Sequence, residues 1–395
     1  MRIAYIANYA GEEVARARGL VRNRALAANH KVATIAQLIA EAGHEVAIYS
    51  PCYVSERKWN WHPASVGRAG SDSSIPVFYS GAWDAPYVNQ LQAVASLWRM
   101  VSKAYQEKPF DAVLLYNAIL PESMVAMALK KRYGVPLIFE YEDDPSAMPG
   151  GQRNWKNRIW QFQLQRLRKH VDAVMGVSPE LLTQFPAARN VLLRGVLAAD
   201  LSGVRPLRQA DFKHHTVMFA GSLSQAKGVE ALCEAWSLGG FDGARLCIYG
   251  AGPELNRLQS KYGSDSISFK GVVSRSRLID AFGEATVLVN PHCGGQVQHG
   301  GIFPFKLIEY LSTGRPIVST PVASLESELR AGICFADGET PHQLAGALHR
   351  VMNDYPDWRS QAQHSSAAAW RAYGPDTVRQ KMSRLVFETV QVGAQ

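Results

Sequence analysis

Asn290-Pro291-His292-Cys293-Gly294-Gly295-Gln296-Val297-Gln298-His299-Gly300-Gly301-Ile302-Phe303-Pro304-Phe305-Lys306-Leu307-Ile308-Glu309-Tyr310-Leu311-Ser312-Thr313-Gly314-Arg315-Pro316-Ile317-Val318-Ser319-Thr320 runs from strand to loop to helix to strand. The apolar run Val287 to Asn290 feeds a glycine-rich loop. A helix opened by Pro304 and closed by Gly314 follows, and Pro316 to Ser319 returns to a strand. That order is the unit of a parallel sheet, and such a loop with its helix start can cradle a pyrophosphate. Lys306 and Glu309, three apart, share one helix face. A carboxylate there can accept two vicinal ribose hydroxyls, and the plainer alternative is a surface ion pair.

The same rhythm extends upstream. Val217 to Ala220 ends in Gly221-Ser222-Leu223-Ser224-Gln225-Ala226-Lys227-Gly228, a short loop whose lysine sits at the mouth of the next helix. Backbone amides, the helix N-terminus and Lys227 would all favour a phosphate. Tyr249-Gly250-Ala251-Gly252-Pro253-Glu254-Leu255 starts like a dinucleotide fingerprint, but Leu255 holds the third glycine position. Pro253 then marks the first turn of a helix.

Strands are expected at Arg245 to Tyr249, Ile267 to Lys270 and Ile333 to Ala336, with helices at Val229 to Trp236, Pro253 to Lys261, Arg275 to Phe282 and Pro341 to Asn353. An earlier set of seven strands, from Ile3 to Ile6 through Val191 to Leu193, alternates with helices at Ala25 to Ala42, Val88 to Gln106, Glu122 to Arg132 and Asn154 to His170. The pattern gives an α/β chain of two Rossmann-like, doubly wound domains facing a central cleft. Expected bounds are 1–200, a linker at 201–215, 216–375, and a C-terminal helix at 376–395 that packs back on the first domain.

Composition agrees with an enzyme-sized globular chain: 395 residues, 47% apolar and 19% charged. No run of 18 apolar residues exists, and Met1-Arg2-Ile3-Ala4-Tyr5-Ile6 reads as a first strand instead of a signal peptide. Five scattered cysteines with no C-x-x-C pair fit buried thiols in a reducing cytoplasm. The net charge of +8 concentrates in residues 151–170, where Arg153, Lys156, Arg158, Arg166, Arg168 and Lys169 interleave with Trp155, Ile159, Trp160 and Phe162 and no acid intervenes. An amphipathic helix on a sheet explains this plainly; attraction to an anionic membrane surface is the sharper reading. No nucleic-acid motif accompanies the charge.

In motif order the chain resembles the retaining glycosyltransferases of family 4, which have the GT-B fold. The matching blocks are Gly43-His44-Glu45-Val46, Gly221 to Gly228, Tyr249 to Pro253, Phe269-Lys270-Gly271-Val272-Val273 and Lys306 to Pro316. The resemblance implies transfer of a sugar from a nucleotide-diphosphate donor to an acceptor hydroxyl with retention, in glycan or glycolipid synthesis, with no metal and no cofactor beyond the donor substrate. The acceptor would be a sugar, a lipid-linked sugar or another hydroxyl compound. Glu309 would hold the donor ribose, Lys227 the diphosphate, and the Val273 backbone the base. Gly221, Ser222, Gly250, His299, Gly300, Gly301, Ile302, Phe303 and Lys306 would complete the donor site. Ser222 and Gly301 stand where the family has Arg and Glu, so Lys306 or His299 would compensate for the missing charge.

Glu142 and Asp143 fall where the family often has a His-Asp pair and would orient the acceptor. With Lys227 they form the candidate catalytic set, and the loop bearing Asn8 and Gly11 lies on the acceptor side. Other readings are a nucleotide-sugar epimerase or phosphorylase on a similar scaffold, and a non-catalytic nucleotide-sugar-binding subunit.

Overall fold

A computed structural model describes residues 1–19, 26–52, 59–70, 74–85, 88–144, 155–207, 214–293, 303–322 and 325–393. Two compact units result. Residues 1–196 with 375–395 form one, and most of residues 197–374 form the other.

In the first unit the strands are β1 (Arg2–Ile6), β2 (Glu45–Ser50), β3 (Trp61–His62), β4 (Ser65–Arg68), β5 (Pro76–Tyr79), β6 (Ala82–Trp83), β7 (Ala112–Tyr116), β8 (Leu137–Tyr141), β9 (Ala173–Gly176) and β10 (Arg189–Leu192). Its helices are α1 (Glu12–Ala17), α2 (Leu26–Glu41), α3 (Val88–Glu107), α4 (Leu120–Tyr133), α5 (Trp155–Leu167) and α6 (Pro179–Leu182). The main sheet has the order β10-β9-β8-β7-β1-β2-β5-β4, parallel except where β4 runs antiparallel to β5. Its central strands are covered on both faces, with every residue of β7 and β8 buried and all but Glu140 apolar or aromatic, as a helix-covered parallel sheet requires. α4 ends at Gly134, whose φ of 72° lets its N–H close on the Lys130 carbonyl before β8 begins. The short strands β3, β4 and β6 carry no period long enough to read from sequence.

The second unit holds β11 (Thr216–Ala220), β12 (Arg245–Tyr249), β13 (Ile267–Gly271), β14 (Val287–Asn290), β15 (Ile317–Ser319) and β16 (Ile333–Phe335). Its helices are α7 (Val229–Ser237), α8 (Leu255–Tyr262), α9 (Arg275–Glu284), α10 (Lys306–Ser312), α11 (Ser327–Arg330), α12 (Pro341–Asn353) and α13 (Tyr355–Tyr373). The sheet order is β13-β12-β11-β14-β15-β16, and its strands are all parallel. Two helix starts differ from the expected ones. α8 begins at Leu255, after Pro253, and α10 begins at Lys306, because i+3 bonds from Leu307 to Pro304 and from Ile308 to Phe305 form a tighter turn first.

Residues 199–203, expected near the linker, form a 3-10 turn whose Leu201 enters the core of the second unit. The last helix, α14 (Pro375–Gly393), belongs to the first unit. Val378, Met382, Leu385 and Val386 on α14 join the same core as Ile35, Ile39 and Val46.

Candidate active site

In each sheet the strand order reverses at one point, between β1 and β7 and between β11 and β14. Open α/β sheets bind ligands outside the strand carboxyl ends at such points. Both places hold charged side chains drawn from several elements.

In the second unit, β11 ends at Ala220 and the chain turns through Gly221 and Ser222 to a 3-10 turn, Gln225–Lys227. Gly228 follows with φ of 66°, and a Cβ there would overlap the Pro291 carbonyl oxygen. The close approach packs the loop after β14 on this turn, where Cys293 N–H bonds to the Ala226 carbonyl at 3.2 Å. Gly250, after β12, bonds to Gly271 at 2.8 Å, and Leu223 bonds to Ala251, so the loops after β11, β12 and β13 stand side by side.

α10 closes this edge. Its Tyr310 hydroxyl accepts from Ala220 N–H at 2.8 Å and donates to the Ala220 carbonyl at 3.1 Å. Lys306, one turn earlier on the same face, donates to that carbonyl at 3.3 Å, with Nζ 4.3 Å from the centre of the Phe219 ring. The site is tight enough that a Cβ at Gly221 would lie 2.6 Å from Lys306 Nζ. Burial, then repulsion from Lys227, push the Lys306 ammonium down to about 7, with Glu309 opposing. His292 is lowered to about 4 by burial and then by Lys227 and Lys306. Lys227 after β11, His292 after β14 and Lys306 at the start of α10 therefore converge on the strand edge, and an anion there would relieve their repulsion.

Glu309 does not pair with Lys306 as a surface ion pair. It lies 3.6 Å from Arg275, which also grips Asp200 through two bonds of 2.8 and 2.9 Å. Burial raises the Glu309 carboxyl, and Arg275 opposes that rise. Its side chain keeps 28% exposure, leaving room for a ligand hydroxyl. Ser222 is exposed, Val273 is half-buried beside the exposed Val272, and Phe303 packs on the core. His299, Gly300, Gly301 and Ile302 lie outside the described residues.

In the first unit, Glu142 follows β8 and is joined by groups that the sequence reading missed. Lys31 of α2 pairs with Glu142 and lies 3.4 Å from Glu140, which is 1% exposed. The Tyr5 hydroxyl of β1 donates to Glu140. Asn117, with φ of 53° just after β7, accepts from the N–H groups of Glu142 (3.0 Å) and Asp143 (3.3 Å) through Oδ1. Burial lowers the Lys31 ammonium against the attraction of Glu140. The loop bearing Asn8 is tied to the same edge: Ala10 exchanges two hydrogen bonds with Asn29 of α2, and Gly11 N–H bonds to the Tyr79 hydroxyl at 3.1 Å.

Two sequence signals could have found this cluster: Glu140 follows the apolar run Leu137-Ile138-Phe139 without a break in the strand, and Lys31 stands beside the apolar positions Val32, Ile35 and Ile39 of α2. Arg275, within Ser274-Arg275-Ser276-Arg277, carried no distinguishing signal. Among the described residues no group of three His, Cys, Asp or Glu could hold a metal ion.

Two family models match in succession: the glycosyl transferase 4-like domain over residues 27–192 and the glycosyl transferases group 1 over residues 214–354. The chain belongs to the group 1 glycosyltransferases. Its fold is GT-B. Sucrose-phosphate synthase from Thermosynechococcus elongatus superposes with a TM-score of 0.71 at 15% identity, over 99% of this chain and 100% of the other. Anabaena HepE, in complex with UDP-glucose, gives 0.68 at 14% identity, over 98% and 100%. The lipopolysaccharide outer core galactosyltransferase WaaB gives 0.64 at 12% identity, over 98% and 99%. No curated protein matches the chain by sequence.

On α5, Leu164 and Leu167 are buried and the Trp160 ring lies 5.9 Å from that of Tyr141. Phe162 stays 58% exposed under the Arg166 guanidinium. The side chains of Arg153, Trp155 and Lys156 are outside the described set. Among the described residues no helix is long and apolar enough to cross a membrane.

Proposed function

We propose that this glycosyltransferase holds a nucleotide-diphosphate sugar on its second unit and transfers the sugar, with retention and without a metal, to an acceptor hydroxyl. The observation that carries the reading is the convergence of Lys227 and Lys306 at the reversal point of the second sheet, with Glu309 on the same helix as Lys306. Lys227, Lys306 and the amides around Gly221 and Gly250 would bind the diphosphate, Glu309 the ribose hydroxyls, and the Val273 backbone the base. Lys306 supplies the second positive charge where Ser222 offers none.

The C1–O bond to the diphosphate breaks as the acceptor oxygen bonds to the same face of C1. The acceptor proton passes to the departing diphosphate oxygen. Stabilising that leaving group is the main catalytic task of the two lysines. Glu142 and Asp143 are assigned to the acceptor, with Lys31 and Asn117 positioning them. We also assign the chain to the cytoplasm in bacterial glycan or glycolipid synthesis. The exposed Phe162 and its neighbouring arginines would give a weak attraction to anionic membranes.

HepE is described with UDP and UDP-glucose, which makes uridine nucleotides the first donors to try. Thermal-shift screening of UDP, GDP, ADP and their sugars should single out one nucleotide, since a ligand at 100 times its Kd adds about 2.7 kcal/mol. With that donor in EDTA, the reaction should yield free nucleotide and an elongated acceptor. Recovery of an epimerised nucleotide sugar, or strict dependence on added Mg²⁺ or Mn²⁺, would overturn the corresponding part of this reading.

A further inference from the structure

Beside α9, on one face of the second sheet, lies a groove of about 410 Å³. Met218 of β11 and Cys247 and Tyr249 of β12 line it from alternate strand positions. Arg205, Arg245, Lys270 and Arg277 surround them, and Glu284 is the acid of the lining. These cations converge. Arg277 holds the Glu284 carboxyl low through bonds of 2.8 and 3.2 Å, and Arg205 and Arg245 add to that effect. The Cys247 thiol is raised by burial but opposed by both Lys270 and Arg245. Among the described residues the side chains of Arg245 and Lys270 form no hydrogen bond or ion pair.

Arg245 and Lys270, with no hydrogen bond or ion pair to another described residue, stand with Arg205 and Arg277 around the one carboxylate of the described lining, in a recess the size of a small-molecule site. Guanidinium forks and an ammonium match phosphate oxygens in geometry and charge. None of these cations belongs to the donor loops, since they come from β12, β13, α9 and the segment after residue 203. We propose that this groove is a second anion site, built for a small phosphorylated molecule and separate from the donor diphosphate site.

Calorimetric titration of the full chain with inorganic pyrophosphate, against chloride at equal ionic strength, tests it. In a Lys227→Met/Lys306→Met chain, pyrophosphate should still bind with one-to-one stoichiometry. Arg245→Gln and Lys270→Gln, each added to that background, should weaken binding about tenfold or more, as loss of a charge-assisted contact does. Charge-keeping Arg245→Lys should retain most of it. Loss of all binding in the double-Met chain, or unchanged binding after Arg245→Gln and Lys270→Gln, would overturn the proposal. So would sedimentation with phosphatidylglycerol vesicles that depends on Arg245 and Lys270 while pyrophosphate fails to bind.

Discussion

Replacing Lys306 by methionine should abolish a proton uptake that accompanies donor binding in the parent chain. In the ligand-free chain, burial and the nearby Lys227 lower the Lys306 ammonium to about 7, so near that pH about half the molecules carry it neutral. A bound diphosphate favours the charged form and raises its pKa. By about pH 6 nearly all of the ammonium is already charged and binding takes up almost no proton there. Above pH 7 a proton must be added first, so affinity falls as pH rises, approaching about tenfold per unit until the pKa of the bound state is reached. Uptake should be about 0.5 proton at pH 7 and about 0.9 at pH 8. A nucleotide sugar is the ligand of choice, because its esterified diphosphate does not titrate in this range. Calorimetry in two buffers of different ionisation enthalpy counts the protons. Parent binding without proton uptake, or equal uptake in Lys306→Met, would refute the placement of Lys306 against the donor.

Lys31→Met should destabilise the chain by about 3–5 kcal/mol in urea, because it leaves buried Glu140 and half-buried Glu142 without their cation. Adding Glu140→Gln and Glu142→Gln should recover most of that loss, and an unchanged midpoint for the single variant would count against a buried cluster. Gly228→Ala should cost more than about 2 kcal/mol, since φ of 66° and the Pro291 carbonyl both oppose a Cβ; a parental Tm would contradict the loop packing. His292 is held near 4 against an ordinary 6.5, so the unfolded chain binds more protons between those values and stability is lost as pH falls through that window. The loss should reach about 2 kcal/mol by pH 5, and His292→Gln should lack it; identical pH profiles of Tm would show that His292 is not buried neutral.

Much of the scaffold was legible because parallel strands and their helices carry long periodic signals. Arg245–Tyr249, Val287–Asn290 and Pro341–Asn353 stand at the residues expected. Helix starts were less legible where a proline precedes the helix. Pro253 and Pro304 mark the bend, but the α-helices proper begin two residues later, at Leu255 and Lys306. The site was legible where a motif keeps its partners close in sequence, as with Lys306 and Glu309. It was opaque where partners meet only through the sheet: Tyr5 with Glu140 is a pair 135 residues apart, and Arg275 reaches Asp200 across 75. Reading Lys306 with Glu309 as neighbours on one face also missed how they divide. Lys306 turns to the end of β11, and Glu309 to Arg275.

The central claim, that the second unit binds a nucleotide sugar through α10, is tested most directly by calorimetry of the donor identified in the thermal screen, with the parent and with Glu309→Ala. Loss of a charge-assisted hydrogen bond to the ribose should cost about 1.5–3 kcal/mol, weakening Kd by about 10- to 150-fold, while the melting temperature without ligand stays near the parent's. Equal donor affinity in the two chains would remove Glu309 from the site and contradict the account.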